Sequence, residues 1–458
     1  MDFLTAARQN QDQIVADLVG LVKIPSLSDP SSVTPKAPFG LALRQALDYA
    51  LAMGQRDGFK TRDVDGYAGV IEFGEGDEIM GILGHLDVVP VGTGWSVDPF
   101  GGTIKEGFVM GRGAQDDKGP TIAGYAAMRL LKQMGITPKK RVFLILGTDE
   151  ESGMACMKYY KKHGEIPHFG FVPDADFPVI YGEKGILNLR VSGNAPTQIV
   201  KLSAGERPNV VIGEAEVTLK GEPKADLFEF YLKAHHLSGH VVETDGHSTY
   251  ALKGRYAHGS LPQEGINAAW HLMNFVGSAY QDETAYHVAS LLEHYRGDAL
   301  GIRVFGSHMG FLTMNLGIVR IENNHLELTL DIRYPQETNE QFILKQVAER
   351  FSHTLGLSTD IIAHKGPLFV DPNSKLVSTL EKIYRTYSGD TQTKLLTMGG
   401  GTYARSFDNF VAFGAEFPLR QRPAWVGQVH QADEGYEIEQ LILATAIYAQ
   451  AIYDLACV

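Results

Sequence analysis

Apolar residues recur along the chain with two periods, and the switch between them divides the sequence. Ile14, Leu18, Leu21 and Val22 fall at helical spacing over residues 11–23, and Pro25 ends that segment. Gly69–Phe73 and Ile79–Gly84 read as strands around the turn sequence GEGDE. Lys118–Met134 predicts a helix with Ile122, Ala126 and Leu130 along one face. The run RVFLILG, Arg141–Gly147, is continuously apolar, the pattern of a strand covered on both faces. Phe169–Val172 is a short strand that ends at Pro173-Asp174. Strands alternating with helices predict an α/β sandwich.

Near Gly182 the pattern loosens. Residues 187–220 and 311–333 alternate less strictly, Glu327–Pro335 (ELTLDIRYP) has the alternation of a half-exposed strand, and Asn339–Leu355 reads as a helix. This predicts an α+β segment inserted into the first domain. The buried-strand style returns after HKGPLFVDPNS and runs to a last helix over Glu437–Ala456. The expected organisation is residues 1–183 and 366–458 as one domain, interrupted by 184–365. There is no internal repeat and no low-complexity segment.

Polar residues gather where the predicted strands end, the edge at which α/β sheets place function. His85 and Asp87 close GILGHLDVVP; Asp116 and Asp117 stand in GRGAQDDKGP before a helix. Asp149, Glu150 and Glu151 follow the most apolar strand in GTDEESG; Asp174 and Asp176 lie in VPDAD, and His430 in GQVHQADE. Singly each has a plain explanation: Asp116 as a helix cap, Glu150-Glu151 as a solvated loop, Asp174 in a turn, His430 at the surface. As a set they fit divalent metal chemistry. Two cations about 3.5–4 Å apart need a bridging carboxylate and terminal ligands, and imidazole with carboxylate suits zinc, manganese or cobalt. No CxxC pair points to a closed structural zinc site. Asp87 would orient the His85 ring, and two adjacent glutamates can divide ligation from proton transfer.

Charge and composition narrow the partners. The 458 residues carry a formal net charge of -13, which argues against a nucleic-acid backbone or an anionic membrane surface as partner. Two distant cysteines, Cys156 and Cys457, form no disulfide framework and fit a reducing cytoplasm. No leader-type segment is read at MDFLTAARQNQDQ, and no uninterrupted apolar run reaches membrane-spanning length. The expectation is a cytoplasmic protein.

The motifs GHLDVVP, GRGAQDDKGP, GTDEESG, VPDAD, GRYAHGSLP, DIRYP, GGGTYAR and VHQADE follow one another between residues 81 and 434. In that order they resemble the co-catalytic metallopeptidases of the aminoacylase, carboxypeptidase G and dipeptidase V family, with dipeptidase V the nearest branch. The match is dense in both flanking segments and thin between about 190 and 250, where only Asn209 carries over. The resemblance implies an α/β catalytic domain with an inserted α+β lid domain. It implies two divalent metals, zinc first and manganese or cobalt as alternatives. Asp116 would bridge them, with His85 and Asp174 on one ion and Glu151 and His430 on the other. It makes Glu150 the general base, Asp87 the partner of His85, and His258 the donor to the oxyanion. Asn209 and Arg333 would bind the substrate carboxylate, and Gly400, Gly401 and Thr402 would line the substrate site. It also places a cis peptide between Asp116 and Asp117.

Plainer readings exist for several of these. Arg333 could be an outward strand residue. GGGT lacks the Gly-Lys-Ser/Thr ending of a P-loop and reads as a strand-end turn. No basic neighbour stands out to activate Cys156, which reads as a buried structural thiol. The implied reaction is hydrolysis of unblocked dipeptides by water held between the metals, in a monomer. The alternatives are an N-acyl amino acid deacylase and a non-catalytic binding protein on the same scaffold.

Overall fold

The apolar run Arg141–Gly147 becomes a strand buried from Val142 onward, and its neighbours explain why. It pairs antiparallel with Ala68–Phe73 on one side and parallel with Ile79–His85 on the other. The two runs around GEGDE are therefore both strands, but they are not hairpin partners. A segment some sixty residues later enters between them. Phe169–Val172 continues the sheet parallel to Ile79–His85, and Phe410–Ala412 lies parallel to Phe169–Val172. Three adjacent parallel strands thus finish at one edge, at Gly147, His85 and Val172.

This is a computed structural model that describes residues Met1–Val458. Its contacts divide the chain into two units. Unit one is Met1–Tyr181, Val370–Leu396 and Gly401–Val458; unit two is Gly182–Phe369 with Thr397–Gly400.

In unit one, parallel strands require crossovers, and helices supply them. Helix Lys118–Gln133 connects Ile79–His85 to Arg141–Gly147 and covers one face of the sheet. A Cβ added to its Gly124 would lie 3.2 Å from Ile82 Cγ2, so the missing side chain lets helix and strand approach. Helix Ala155–His163 connects the next pair, and the turn Tyr403–Ser406 packs beside it. Leu41–Arg56 and Lys375–Ser388 are further helices that the periodicity did not single out. The last helix is Ile438–Ile452, followed by one wider turn, Tyr453–Cys457, and it packs along Lys118–Gln133. Ile438–Cys457 is long and apolar enough to cross a membrane by length and composition, although it holds no unbroken apolar run. In the structure 72% of that window is buried, as in the core helix of a folded unit.

Unit two is an antiparallel sheet of eight strands. Gly185–Asn194 and His325–Tyr334 pair over their whole length, with Thr313–Glu322 next to the latter. Their inward residues, Leu187, Leu189, Val191, Leu326, Leu328 and Leu330, meet helices Ala268–Tyr280, Glu283–Leu291 and Glu340–Leu355 in one core. Gly185–Asn194 alternates as a strand covered on one face does, but His325–Tyr334 is buried from Leu328 onward rather than half-exposed as its sequence suggested. Asn339 caps its helix by accepting the Phe342 N–H, as the reading of 339–355 requires.

Within this core His271 is half-buried between two helices. Its Nδ1 lies 3.0 Å from the Tyr231 hydroxyl, which Asn274 also meets at 3.0 Å, and the His235 ring is 5.4 Å away. Burial, reinforced by His235, pushes its pKa down to about 4. The unfolded chain therefore binds the extra proton between about pH 6.5 and 4, so stability falls with falling pH across that window. His271→Gln is expected to flatten that slope in urea unfolding titrations between pH 4 and 6.5. An unchanged slope would show that His271 is not depressed in the fold.

Candidate metal centre

The strand edge of unit one is where the polar residues meet. His85 is the last residue of its strand, Asp149-Glu150-Glu151 follow the neighbouring strand after Thr148, and Asp174 follows Pro173 on the third. Asp116 arrives just before helix Lys118–Gln133, and its peptide to Asp117 is cis. His430 comes from the loop before Gly435–Glu437 and holds φ at 65°. That left-handed conformation is uncommon for a non-glycine residue.

The distances describe one cluster. His85 Nε2 lies 3.0 Å from Asp116 Oδ1 and 3.8 Å from Asp174 Oδ2. His430 Nε2 lies 2.9 Å from Asp116 Oδ2 and 3.2 Å from Glu151 Oε1. Two groups result, His85–Asp116–Asp174 and Asp116–Glu151–His430. Within each, the candidate ligand atoms lie within 4.8 Å of one another, and Asp116 belongs to both.

The charges show what this donor set accommodates. Burial opposes the charge on Asp116, but hydrogen bonds from His430 and His85 hold its pKa well below the usual range. The Asp116 and Glu151 contacts push His430 up to about 10. Burial and the neighbouring Asp116 and Asp117 push Asp174 far up. Burial, with repulsion from Glu151, Asp87 and Asp116, raises Glu150 to about 8 against the pull of His85. Asp117 Oδ1 is buried without a hydrogen-bond partner. Imidazoles drawn to hold protons beside carboxylates driven to accept them mark a cluster short of positive charge. Divalent cations would relieve that shortage, so the residues fit the metal ions that the sequence implied.

Asp87 has a broader part than orienting the ring. His85 Nδ1 meets the Asp87 backbone carbonyl at 2.9 Å, while the Asp87 carboxylate lies 3.4 Å away. That carboxylate accepts the backbone N–H of Glu150 at 2.9 Å and of Glu151 at 3.0 Å. It therefore fixes the turn that presents both glutamates.

The remaining candidates gather in unit two, apart from the end of the glycine loop. The Asn209 carbonyl accepts the Gly259 N–H at 2.7 Å, and Val210 bridges His258. His258 Nδ1 is 2.7 Å from Ser260 Oγ and accepts the Ser260 N–H at 3.2 Å. Burial and the Arg333 charge hold its pKa below the ordinary histidine value. Arg333 is buried rather than outward. Its Nε and Nη2 hold both oxygens of Asp331, and Nη1 donates to the Gly399 carbonyl at 2.6 Å. Asp331 was not read from sequence, although it stands two residues from Arg333 in DIRYP. Gly400 belongs to unit two, and Gly401 and Thr402 to unit one. Thr402 caps the turn Tyr403–Ser406 through the Ala404 N–H, so GGGT is a strand-end turn. Cys156 is buried against the Tyr403 hydroxyl at 2.9 Å, and burial pushes its thiol up to about 12, an inert state.

Comparison with known proteins now has a site to attach to. The model of peptidase family M20/M25/M40 matches residues 81–454. A Staphylococcus haemolyticus protein named "Putative dipeptidase" is 38% identical over 470 residues, covering 98% of each chain. The chain belongs to peptidase family M20/M25/M40. This M20 peptidase also resembles human carnosine dipeptidase 1, with a TM-score of 0.60, 16% identity, and 98% of this chain and 97% of that one covered. The di-peptidase Dug1p of Saccharomyces cerevisiae gives a TM-score of 0.59 at 14% identity, covering 99% and 98%. At such identities the structural likeness speaks for the α/β fold alone. The family depends on divalent metal, and the cluster around Asp116 is the candidate place for it.

Replacing Asp87 by Ala leaves two N–H groups without their acceptor, at a cost of about 1–3 kcal/mol for each. Asp87→Ala is expected to lower the urea midpoint of the metal-free peptidase. A midpoint equal to wild type would show that the carboxylate does not hold the Glu150-Glu151 turn.

Proposed function

We propose that this M20 peptidase hydrolyses unblocked dipeptides with two divalent ions held at Asp116, zinc first and manganese or cobalt as alternatives. The observation that carries the two-ion reading is the double engagement of Asp116. One oxygen faces His85 and the other His430, each at about hydrogen-bond distance. His85 and Asp174 would complete one ion's ligands, Glu151 and His430 the other's. The dipeptide substrate is supported by the names of relatives that match this chain nearly end to end.

The ions, when bound, polarise a carbonyl and make water more acidic. Glu150 accepts the proton of the attacking water and returns it to the leaving amine. Asp87 keeps Glu150 in place through the backbone of the turn. His258, neutral and with Nδ1 occupied as an acceptor, carries its proton on Nε2, the form that donates to a developing oxyanion. Arg333 is fixed by Asp331 before substrate arrives. Its remaining N–H groups, with Asn209, are assigned to the substrate carboxylate.

The test is hydrolysis by metal-stripped protein reconstituted separately with zinc, manganese and cobalt, on free dipeptides beside N-acetyl amino acids. Dipeptide cleavage that requires metal is expected. Glu150→Ala should keep its metal and lose about 10²–10⁴-fold in kcat. Activity confined to N-acetyl amino acids would make the protein a deacylase. Inactivity with every metal and substrate would favour the binding-protein reading, and near-normal turnover by Glu150→Ala would remove it as the base.

A further inference from the structure

Arg112 is a long charged side chain only 1% exposed, and its partner Glu434 is 0% exposed. Arg112 Nη1 donates to Glu434 Oε2 at 2.6 Å and to the Gln431 carbonyl at 3.2 Å. Its Nη2 points to the carbonyls of Val91 at 3.3 Å and Pro90 at 3.4 Å. The Trp95 ring stacks over the guanidinium at 5.2 Å. The second oxygen of Glu434 accepts the N–H of Gln115 at 3.0 Å and of Asp116 itself at 3.1 Å. The Glu434 carbonyl takes the Gly111 N–H at 2.9 Å.

The backbone contacts of the pair fall on segments that carry candidate ligands. Pro90-Val91 follows His85, Gln115-Asp116 contains the shared carboxylate, and Gln431 adjoins His430. Stability alone does not explain such a pair. Desolvating two charges offsets most of their attraction, and apolar side chains of similar volume commonly stabilise as well or better. An apolar pair has no directional bonds, however. The planar fork of Arg112 reaches two separate loops and a carboxylate whose other oxygen grips the Asp116 backbone.

We propose that Arg112 and Glu434 are positioning residues that set the spacing of His85, Asp116 and His430 and thereby the affinity of the metal centre. The inference rests on the two-ion reading of that centre. Partners of this outer kind are commonly worth 10–100-fold in metal affinity. Arg112 holds the carbonyls of Pro90, Val91 and Gln431 while the Glu434 carboxylate holds Arg112 and the backbone of Gln115-Asp116, so loss of the pair loosens both ligand groups at once.

The test measures zinc binding by isothermal titration and by metal analysis, alongside thermal unfolding of the metal-free chain. Arg112→Lys keeps the charge and loses the fork. It should unfold near the wild-type temperature yet bind zinc about 10–100-fold more weakly. The double variant Arg112→Met with Glu434→Gln removes both buried charges. Its metal-free unfolding temperature should match or exceed wild type, while zinc affinity stays low. Wild-type affinity in Arg112→Lys overturns the proposal. So does affinity that recovers in the double variant in step with stability, since that is the behaviour of a purely structural pair. Should the double variant not fold, the Arg112→Lys result decides. Wild-type protein that binds one zinc instead of two contradicts the two-ion reading, and the affinity change in Arg112→Lys still tests the positioning role on that single ion.

Discussion

The two oxygens of Asp116 each face an imidazole, Oδ1 toward His85 and Oδ2 toward His430. Around that carboxylate stand Asp174, Glu151 and Glu150, brought close enough that burial and mutual repulsion raise Asp174 and Glu150 well above ordinary acids. Assembling so much like charge is costly unless positive charge balances it. The surrounding structure is therefore best understood as a frame that holds these carboxylates together for metal.

The frame is a sheet property first. Arg141–Gly147, Ile79–His85 and Phe169–Val172 run parallel and end together, so three stretches far apart in sequence deliver their polar residues to one edge. Glycines at Gly84 and Gly124 let helix Lys118–Gln133 pack close against that sheet, with Asp116 just ahead of its first turn. Buried hydrogen bonds then set the finer geometry. The Asp117 carboxylate accepts the His85 N–H at 3.1 Å, Asp87 holds the Glu150-Glu151 turn, and Glu434 holds the backbone of Asp116.

Much of this was legible in the sequence because it follows from short-range pattern. The buried strand at 141–147, the helix at 118–133 and the polar residues at strand ends all leave local marks. Pairing did not, since a strand buried on both faces carries no sign of its neighbours. The runs around GEGDE thus gave no hint that Arg141–Gly147 separates them. The broader part of Asp87 was hidden for the same reason, because its acceptors' partners are backbone N–H groups sixty residues away. Arg112 and Glu434 stand inside motifs that were noticed for other residues. Only the structure shows them buried and facing each other. The left-handed backbone at His430 is equally invisible in VHQADE, where nothing but the histidine itself invites attention.

The central claim is that one carboxylate, Asp116, is shared between two cations. Anomalous diffraction from crystals grown with manganese or zinc tests it most directly. The account predicts two peaks in unit one, about 3.5–4 Å apart, with Asp116 ligating both, His85 and Asp174 on one, and Glu151 and His430 on the other. A single peak, or two peaks that do not share Asp116, would contradict it.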